Sequence, residues 1–268
     1  MAMLGYQIGE QAKPFCNAAA ELLIKKNPGD HPVRMLDVGC SYGIGSAFVK
    51  FGLTFQEIVD FYASHPNLNY SSCTTETRRW LSKKHTVLDL VTIGLDNSKP
   101  AIRFALDAGL INVGITRDFE KLDMSTSEEC EIFQKCNLLI CIGSIGYVTA
   151  LTLSKILKHF GQDSKQGVGP FIVITVLRMF DPIPILQVFE QFGYHVEQVE
   201  NIRLPQRAFI DRKEKKKILQ LLRKKKIDTR YWEDKGIMYA DLLIAAPHDQ
   251  FNELLQKIVS VPHNNRMS

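Results

Sequence analysis

"VRMLDVGCSYGIGSAFVK", Val33 to Lys50, decides how the rest of the chain is read. It opens as a short apolar strand, with His31-Pro32 before it and glycines after it. Gly39, Gly43 and Gly45 then fall within seven residues, and "GSAFVKFGL" opens a helix. Glycine tolerates positive φ and lets a ligand approach the main chain with no Cβ in the way. In an open parallel sheet ligands settle outside the carboxyl ends of the strands, and the first strand-to-helix turn is the usual place.

The turn narrows the ligand. A triphosphate loop reads G-x-x-x-x-G-K-[ST], and no lysine stands here. A dinucleotide turn reads G-x-G-x-x-G, and counted from Gly39 its second glycine falls on Ser41. The spacing present is G-x-x-x-G-x-G, with Asp37 two residues ahead of it.

Working outward, residues 1–30 read as a helical cover that stops at Asn27-Pro28-Gly29. Residues 53–85 hold two helical segments around a polar Asn/Ser/Thr patch. This is longer than an ordinary helix-to-strand joint, and it is expected to be an inserted lid packed over the site. From residue 86 strands and helices alternate: "TVLDLVTIGLD", "INVGITRDF", "CNLLICIGS" and "GPFIVITVLRMF" as strands with amphipathic helices between them. "HVEQVENIRL" and "YADLLIAAP" follow as two late strands. Apolar strands interleaved with helices predict an α/β domain: a mostly parallel seven-stranded sheet with helices on both faces. One domain of 268 residues is expected.

"LDVGCSYGIGS" resembles motif I of the class I, Rossmann-like methyltransferases that use S-adenosyl-L-methionine. The resemblance runs over roughly residues 33–247, the 53–85 insertion excepted, and implies a closing antiparallel strand. It also implies a cofactor site built from Asp37, Gly39, Cys40, Ser41, Tyr42, Gly43 and Gly45. S-adenosylmethionine has no phosphate, so the missing lysine is consistent with it. Its ribose offers two hydroxyls to a single carboxylate. The family expects that carboxylate at the end of the second strand, where Asp96 and Asn97 stand. Asp96 lies 59 positions after Asp37, a distance stretched by the insertion. Asp118 and Phe119 take the place of the family's adenine contacts, and Ile142, Gly143 and Ser144 that of its fourth-strand contacts. Family members often carry an acid where Asn137 stands.

Methyl transfer from a sulfonium needs alignment and desolvation more than a signature residue. Tyr147, just past the fourth strand, and Arg178 and Asp181, past the fifth, are the candidate catalytic or acceptor-binding residues. Tyr6 and Phe15 are candidates for an N-terminal cover over the site, and Arg207 is a candidate to reach it from the loop after the sixth strand. An N-P-P-[YFW] motif is absent; "IGSIGY" stands in its place, which argues against amide or adenine acceptors.

The net charge is +4. It is concentrated in 211–230, which holds ten Lys or Arg against three acids. That segment reads as an amphipathic surface helix, the alternatives being a docking face for RNA or an anionic membrane. The six cysteines form no C-x-x-C pair, so no metal site is expected. No apolar run nears the ~20 residues of a membrane span. "MAMLGYQIGEQAKPFCN" lacks a secretory pattern, so a cytoplasmic location is expected. The reading is a methyltransferase for nitrogen or oxygen of a small molecule. The alternatives are an RNA or protein methyltransferase and a non-catalytic binding protein.

Overall fold

The computed structural model describes residues 4–27, 32–122, 125–162 and 170–262. The chain begins with helix α1 (Ile8–Lys26) and strand β1 (Val33–Val38). Helices α2 (Ile44–Phe51), α3 (Phe55–Ala63) and α4 (Tyr70–Ser82) follow, then β2 (Leu90–Asp96), α5 (Lys99–Asp107), β3 (Val113–Thr116), α6 (Ser127–Gln134) and β4 (Leu138–Cys141). Helix α7 (Ala150–Leu157), β5 (Phe171–Leu177), α8 (Ile183–Gln191), β6 (Tyr194–Ala208), α9 (Arg212–Lys224), β7 (Ile237–Pro247) and α10 (Phe251–Val259) complete it. Pro28 and Gly29, read as the breaker after α1, lie outside the described residues.

The seven strands form one sheet in the order β3-β2-β1-β4-β5-β7-β6. β1 to β5 pair in parallel, and β7 lies antiparallel to both β5 and β6. This is the mixed, mostly parallel sheet with an antiparallel last strand that the sequence predicts. Strand order reverses between β1 and β4, which places the glycine turn at the switch point.

Side chains alternate across each strand. Met35, Phe171 and Val173 face a core completed by α1 and α10. Leu36, Ile172 and Ile174 face the opposite core, filled from α6, α7 and α8. The sequence reading left α10 out. Its apolar residues Phe251, Leu254 and Ile258 are buried at helical spacing. Asn137, at the base of β4, accepts a hydrogen bond from the Arg34 N–H through Oδ1 at 2.9 Å, so it locks the start of the sheet.

The expected lid is elsewhere. Helices α3 and α4 pack beside α2 and α5, where Ile58 and Leu81 join Phe48, Ile102 and Ile111 in a third core. No described residue of 53–85 lines the cleft described below. The apolar positions of the pair face α2 and α5, and burying them there leaves nothing to reach over the switch point. The segment 209–236, inserted between β6 and β7, lies behind the cleft wall and lines none of it either. Its helix α9 seats Ile218 and Leu222 against Met238, Leu177 and Met179.

Candidate active site

At the end of β1 the Gly39 N–H donates to Leu95 O at 2.8 Å, and the chain then turns away at φ 76°. A Cβ on Gly39 would lie 2.5 Å from Ser144 Cβ, so glycine is required both by the torsion and by the close approach of β4. The Ser144 hydroxyl donates to Val38 O at 2.8 Å and ties the tips of the two strands together.

Ser41 also holds positive φ, 50°, a costly conformation for a residue with a side chain. Its N–H donates to Asp96 Oδ2 at 2.9 Å, and the Ser98 N–H donates to Asp96 Oδ1 at 2.8 Å. Two main-chain donors therefore fix the carboxylate at the lip of the sheet. Each oxygen keeps lone-pair capacity for a further donor.

These groups line one end of a cleft of about 700 Å³. Asn97, Asp118, Phe119 and Glu120 line the same end. The loop after β3 is well anchored. Glu120 accepts from the Thr149 N–H at 2.9 Å, the Thr149 hydroxyl at 2.8 Å and the Thr152 hydroxyl at 2.6 Å. Lys155 Nζ donates to Phe119 O at 2.6 Å and Leu122 O at 2.7 Å. Arg117 pairs with Glu129 at 2.9 Å, so its charge is already met.

The other end is walled by Leu4, Leu177, Met179, Phe180 and Met238, with Tyr6, Gln206 and Arg207 as its polar groups. A bulge in β6 shapes its polar side. Pro205 pairs with Tyr239 and Arg207 with Met238, so Gln206 is an extra residue in β6. In a regular strand Gln206 and Arg207 would point to opposite faces; the bulge lets both line the cleft. The Gln206 carbonyl accepts from the Gln7 N–H at 2.8 Å, which holds Tyr6 beside Gly143. Gln206 is 6% exposed, and its Oε1 has no hydrogen-bond partner among the described residues. An unpaired buried polar atom costs about 1–3 kcal/mol.

Charge follows this geometry. Asp37 lies beneath the turn and accepts from the Ser46 hydroxyl at 2.8 Å. Burial pushes its carboxyl up to about 6; hydrogen bonds from Ser46 oppose the rise and the charge of Asp96 adds to it. Burial likewise pushes the Tyr6 phenol up to about 12, with Asp37 adding and Arg207 opposing. Arg207 meets Glu214 through both terminal nitrogens, at 3.1 and 2.9 Å, so that end of the cleft carries little net charge.

Of the residues predicted from the sequence, Gly39, Ser41, Asp96, Asn97, Asp118, Phe119, Ile142, Gly143, Ser144 and Tyr147 line the cleft, as do Tyr6 and Arg207. The others do not. Asp37 and Phe15 are buried, Phe15 in the core under α1. Cys40 points its thiol at Gly94, and Gly43 packs on Ala105, Leu110 and Ile111. Tyr42 lies edge-on to Phe104, with ring centroids 5.6 Å apart, and Gly45 sits against the Asp37 carboxylate. Arg178 and Asp181 are corrections. Arg178 is buried, with its Nη1 2.7 Å from Glu233 and its Nη2 donating to Asp228 O at 2.8 Å. Strand alternation turns it away from the cleft, while its neighbours Leu177 and Met179 face it. Asp181 accepts from the Ile183 N–H at 3.1 Å and so caps the start of α8.

Sequence reasoning missed Glu120, Phe180, Gln206 and Met238. Phe180 is held by Gly146, where a Cβ would sit 2.6 Å from its ring. A glycine in "IGSIGY" was a readable sign that something large packs there. Gln206 had no such sign, because a bulge depends on the pairing of two strands.

No known family model matches the chain, and no curated protein is significantly similar to it. Solved structures are similar at low identity. The chain is similar to the YcgJ protein of Bacillus subtilis, at 12% identity and TM-score 0.45, over 85% of this chain and 97% of that one. It is similar to magnesium protoporphyrin IX methyltransferase from Synechocystis PCC 6803, solved with bound S-adenosylhomocysteine, at 11% identity and TM-score 0.41, over 90% and 84% of the two chains. A methyltransferase from Geobacter sulfurreducens, also in complex with S-adenosylhomocysteine, is similar at 13% identity and TM-score 0.36, over 86% and 90%.

Proposed function

We propose that this protein is an S-adenosylmethionine-dependent methyltransferase of the class I type, acting on a small molecule. The observation that carries the reading is the Asp96 carboxylate, fixed by the Ser41 and Ser98 N–H groups at the lip of a glycine turn. Its remaining lone pairs suit two vicinal hydroxyls. The residues fit a nucleoside better than a diphosphate: the one guanidinium at that end, Arg117, is engaged by Glu129. Gly39 and Gly143, both at positive φ, bring bare main chain to the cleft wall.

The bound cofactor would supply a methyl group on sulfur that is already activated for displacement. The chain's own residues would do the rest. Asp96 would hold the ribose. Main chain from Gly39 to Ser41 would take the amino-acid end, with the Asp37 carboxylate beneath it. Asn97, Asp118 and Phe119 would flank the base. The apolar end would exclude water and align the acceptor, and alignment of this kind lowers a barrier by several kcal/mol, roughly 7–11 at best.

Titration calorimetry with S-adenosylmethionine and S-adenosylhomocysteine tests the reading. Binding of both is expected, and folded protein that gives no heat with either would end it. A second reading, a macromolecular acceptor such as RNA, is favoured by one observation: α9 backs the acceptor end and carries lysines on its outer side. Affinity for RNA falling steeply with salt would support it.

A further inference from the structure

We propose that the outer side of helix α9 docks the protein on an anionic lipid bilayer. This rests on the surface of that helix and not on the methyltransferase reading above, so either can fail without the other.

Ten of the chain's 33 Lys and Arg stand in 211–230, against three of its 29 acids, so the remainder of the chain is net acidic. Charge is therefore sorted to one place. At about 100° per residue, α9 gathers Arg212, Lys213, Lys216, Lys217, Arg223 and Lys224 onto a single arc, interrupted by Gln220 alone. All six are exposed, and none forms an ion pair among the described residues. The acids of the segment are spent elsewhere: Glu214 on Arg207, Asp228 on Arg230, and Asp211 on the Glu214 N–H. The arrangement works against the helix. Arg212 and Lys216 are like charges one turn apart, as are Lys213 and Lys217, and Arg212, Lys213 and Lys215 stand at the positive end of the helix dipole. Stability alone favours acids at those places. An anionic partner offsets the repulsion.

Such a face could meet RNA or an anionic bilayer, and three features favour the bilayer. The face is convex. The shallow hollow on that side is lined by Arg212, Lys215, Lys216, Leu219, Gln220 and Arg223, all from α9 itself, so no second element closes a groove around a strand. The helix carries no aromatic side chain on which a base could stack. Apolar side chains, by contrast, accompany the charges. Leu221, 38% exposed, sits one turn from both Lys217 and Lys224, and Ile210, 63% exposed, stands just ahead of the helix. Exposed Leu and Ile beside lysines suit the boundary between head groups and acyl chains, where lysine stems lie along apolar surface and their charges meet phosphate. The inner side of α9 stays seated, with Ile218 and Leu222 on Met238, so the helix can adsorb without leaving the fold.

The test is co-sedimentation of the full chain with vesicles of phosphatidylcholine, alone or with about 30% phosphatidylserine, at about 0.1 M salt. Binding is expected to the anionic vesicles only, and is expected to be lost at about 1 M salt, where the screening length is about 3 Å. Each cation near such a surface contributes roughly fivefold, so Lys213→Gln, Lys217→Gln and Lys224→Gln together should weaken binding about 100-fold. Leu221→Gln should weaken it about 3- to 10-fold, a loss that a purely ionic contact would not show. Lys25→Gln, Lys83→Gln and Lys158→Gln together remove the same charge from exposed sites at the ends of α1, α4 and α7, and should leave binding unchanged. Every substituted side chain lies at the surface, and thermal melts check that the fold is kept. Polyuridylate RNA is titrated in parallel. No binding to the anionic vesicles would overturn the proposal, and RNA held in their place would make nucleic acid the partner of this face. Equal losses in the two triple variants would overturn it too, by showing a response to net charge alone.

Discussion

The Asp96 carboxylate receives the Ser41 N–H at 2.9 Å across the gap between the second strand and the first turn. Ser41 bears positive φ, so this hydrogen bond does two jobs: it holds a strained residue in place and aims a carboxylate into the cleft. Asp96→Ala should therefore reduce affinity for S-adenosylhomocysteine by about 1–3 kcal/mol, the range for charged hydrogen bonds lost from a partly buried site. Calorimetry on the variant checks this, and an unchanged affinity would point to a different carboxylate.

Two glycines with similar torsions make an internal comparison. Gly39→Ala brings a Cβ to 2.5 Å from Ser144, with φ at 76°. Gly193→Ala meets nothing within 4 Å, with φ at 80°. The second change should cost about 1 kcal/mol of torsional strain alone. The first should cost about 1–3 kcal/mol more, because β1 and β4 must part to admit the Cβ. Thermal melts of the two variants side by side measure the difference. Equal losses would mean that β1 and β4 can part at no cost.

Stability should depend on pH through Asp37. Its folded carboxyl is pushed up to about 6, above the ordinary value of 3.8. The folded state thus holds the proton more tightly than the unfolded chain does. The stabilisation is complete below about pH 4 and is lost as pH rises through about 6, ~3 kcal/mol in all. Asp37→Asn keeps an acceptor for Ser46 and removes the titration. The melting temperature of the variant relative to the parent should climb between about pH 4 and 7, and a constant offset would refute the assignment.

The Arg178–Glu233 pair is a buried ion pair behind the cleft wall, 2.7 Å apart. Burial raises the Glu233 carboxyl despite the guanidinium beside it. Removing one partner strands the other, so Arg178→Met should cost about 3–5 kcal/mol. Arg178→Met with Glu233→Met should recover much of that loss. Denaturant unfolding of the two proteins decides the point; a double variant no better than the single one would show that the pair contributes more than its charges.

The parallel half of the sheet was legible in the sequence because its strands are continuous apolar runs and its turns are punctuated by glycine. Asp96 was legible for the same reason, as it ends such a run. Arg178 misled because a residue just past a strand faces either side according to pairing, and pairing is a tertiary fact. The 53–85 segment misled because length shows an insertion without showing which core its apolar positions will join; Ile58 and Leu81 found α2 and α5. Gln206 was invisible because it is set by one extra residue in a pairing of β6 with β7.

The bulge at Gln206 has an evolutionary corollary. Deleting that one residue would restore regular alternation and remove the amide, with Arg207 still opposite Met238 and β1 to β4 untouched. The two ends of the cleft are thus carried by separable stretches of chain, and the lining of one can change by single insertions in an edge hairpin while the other keeps its shape.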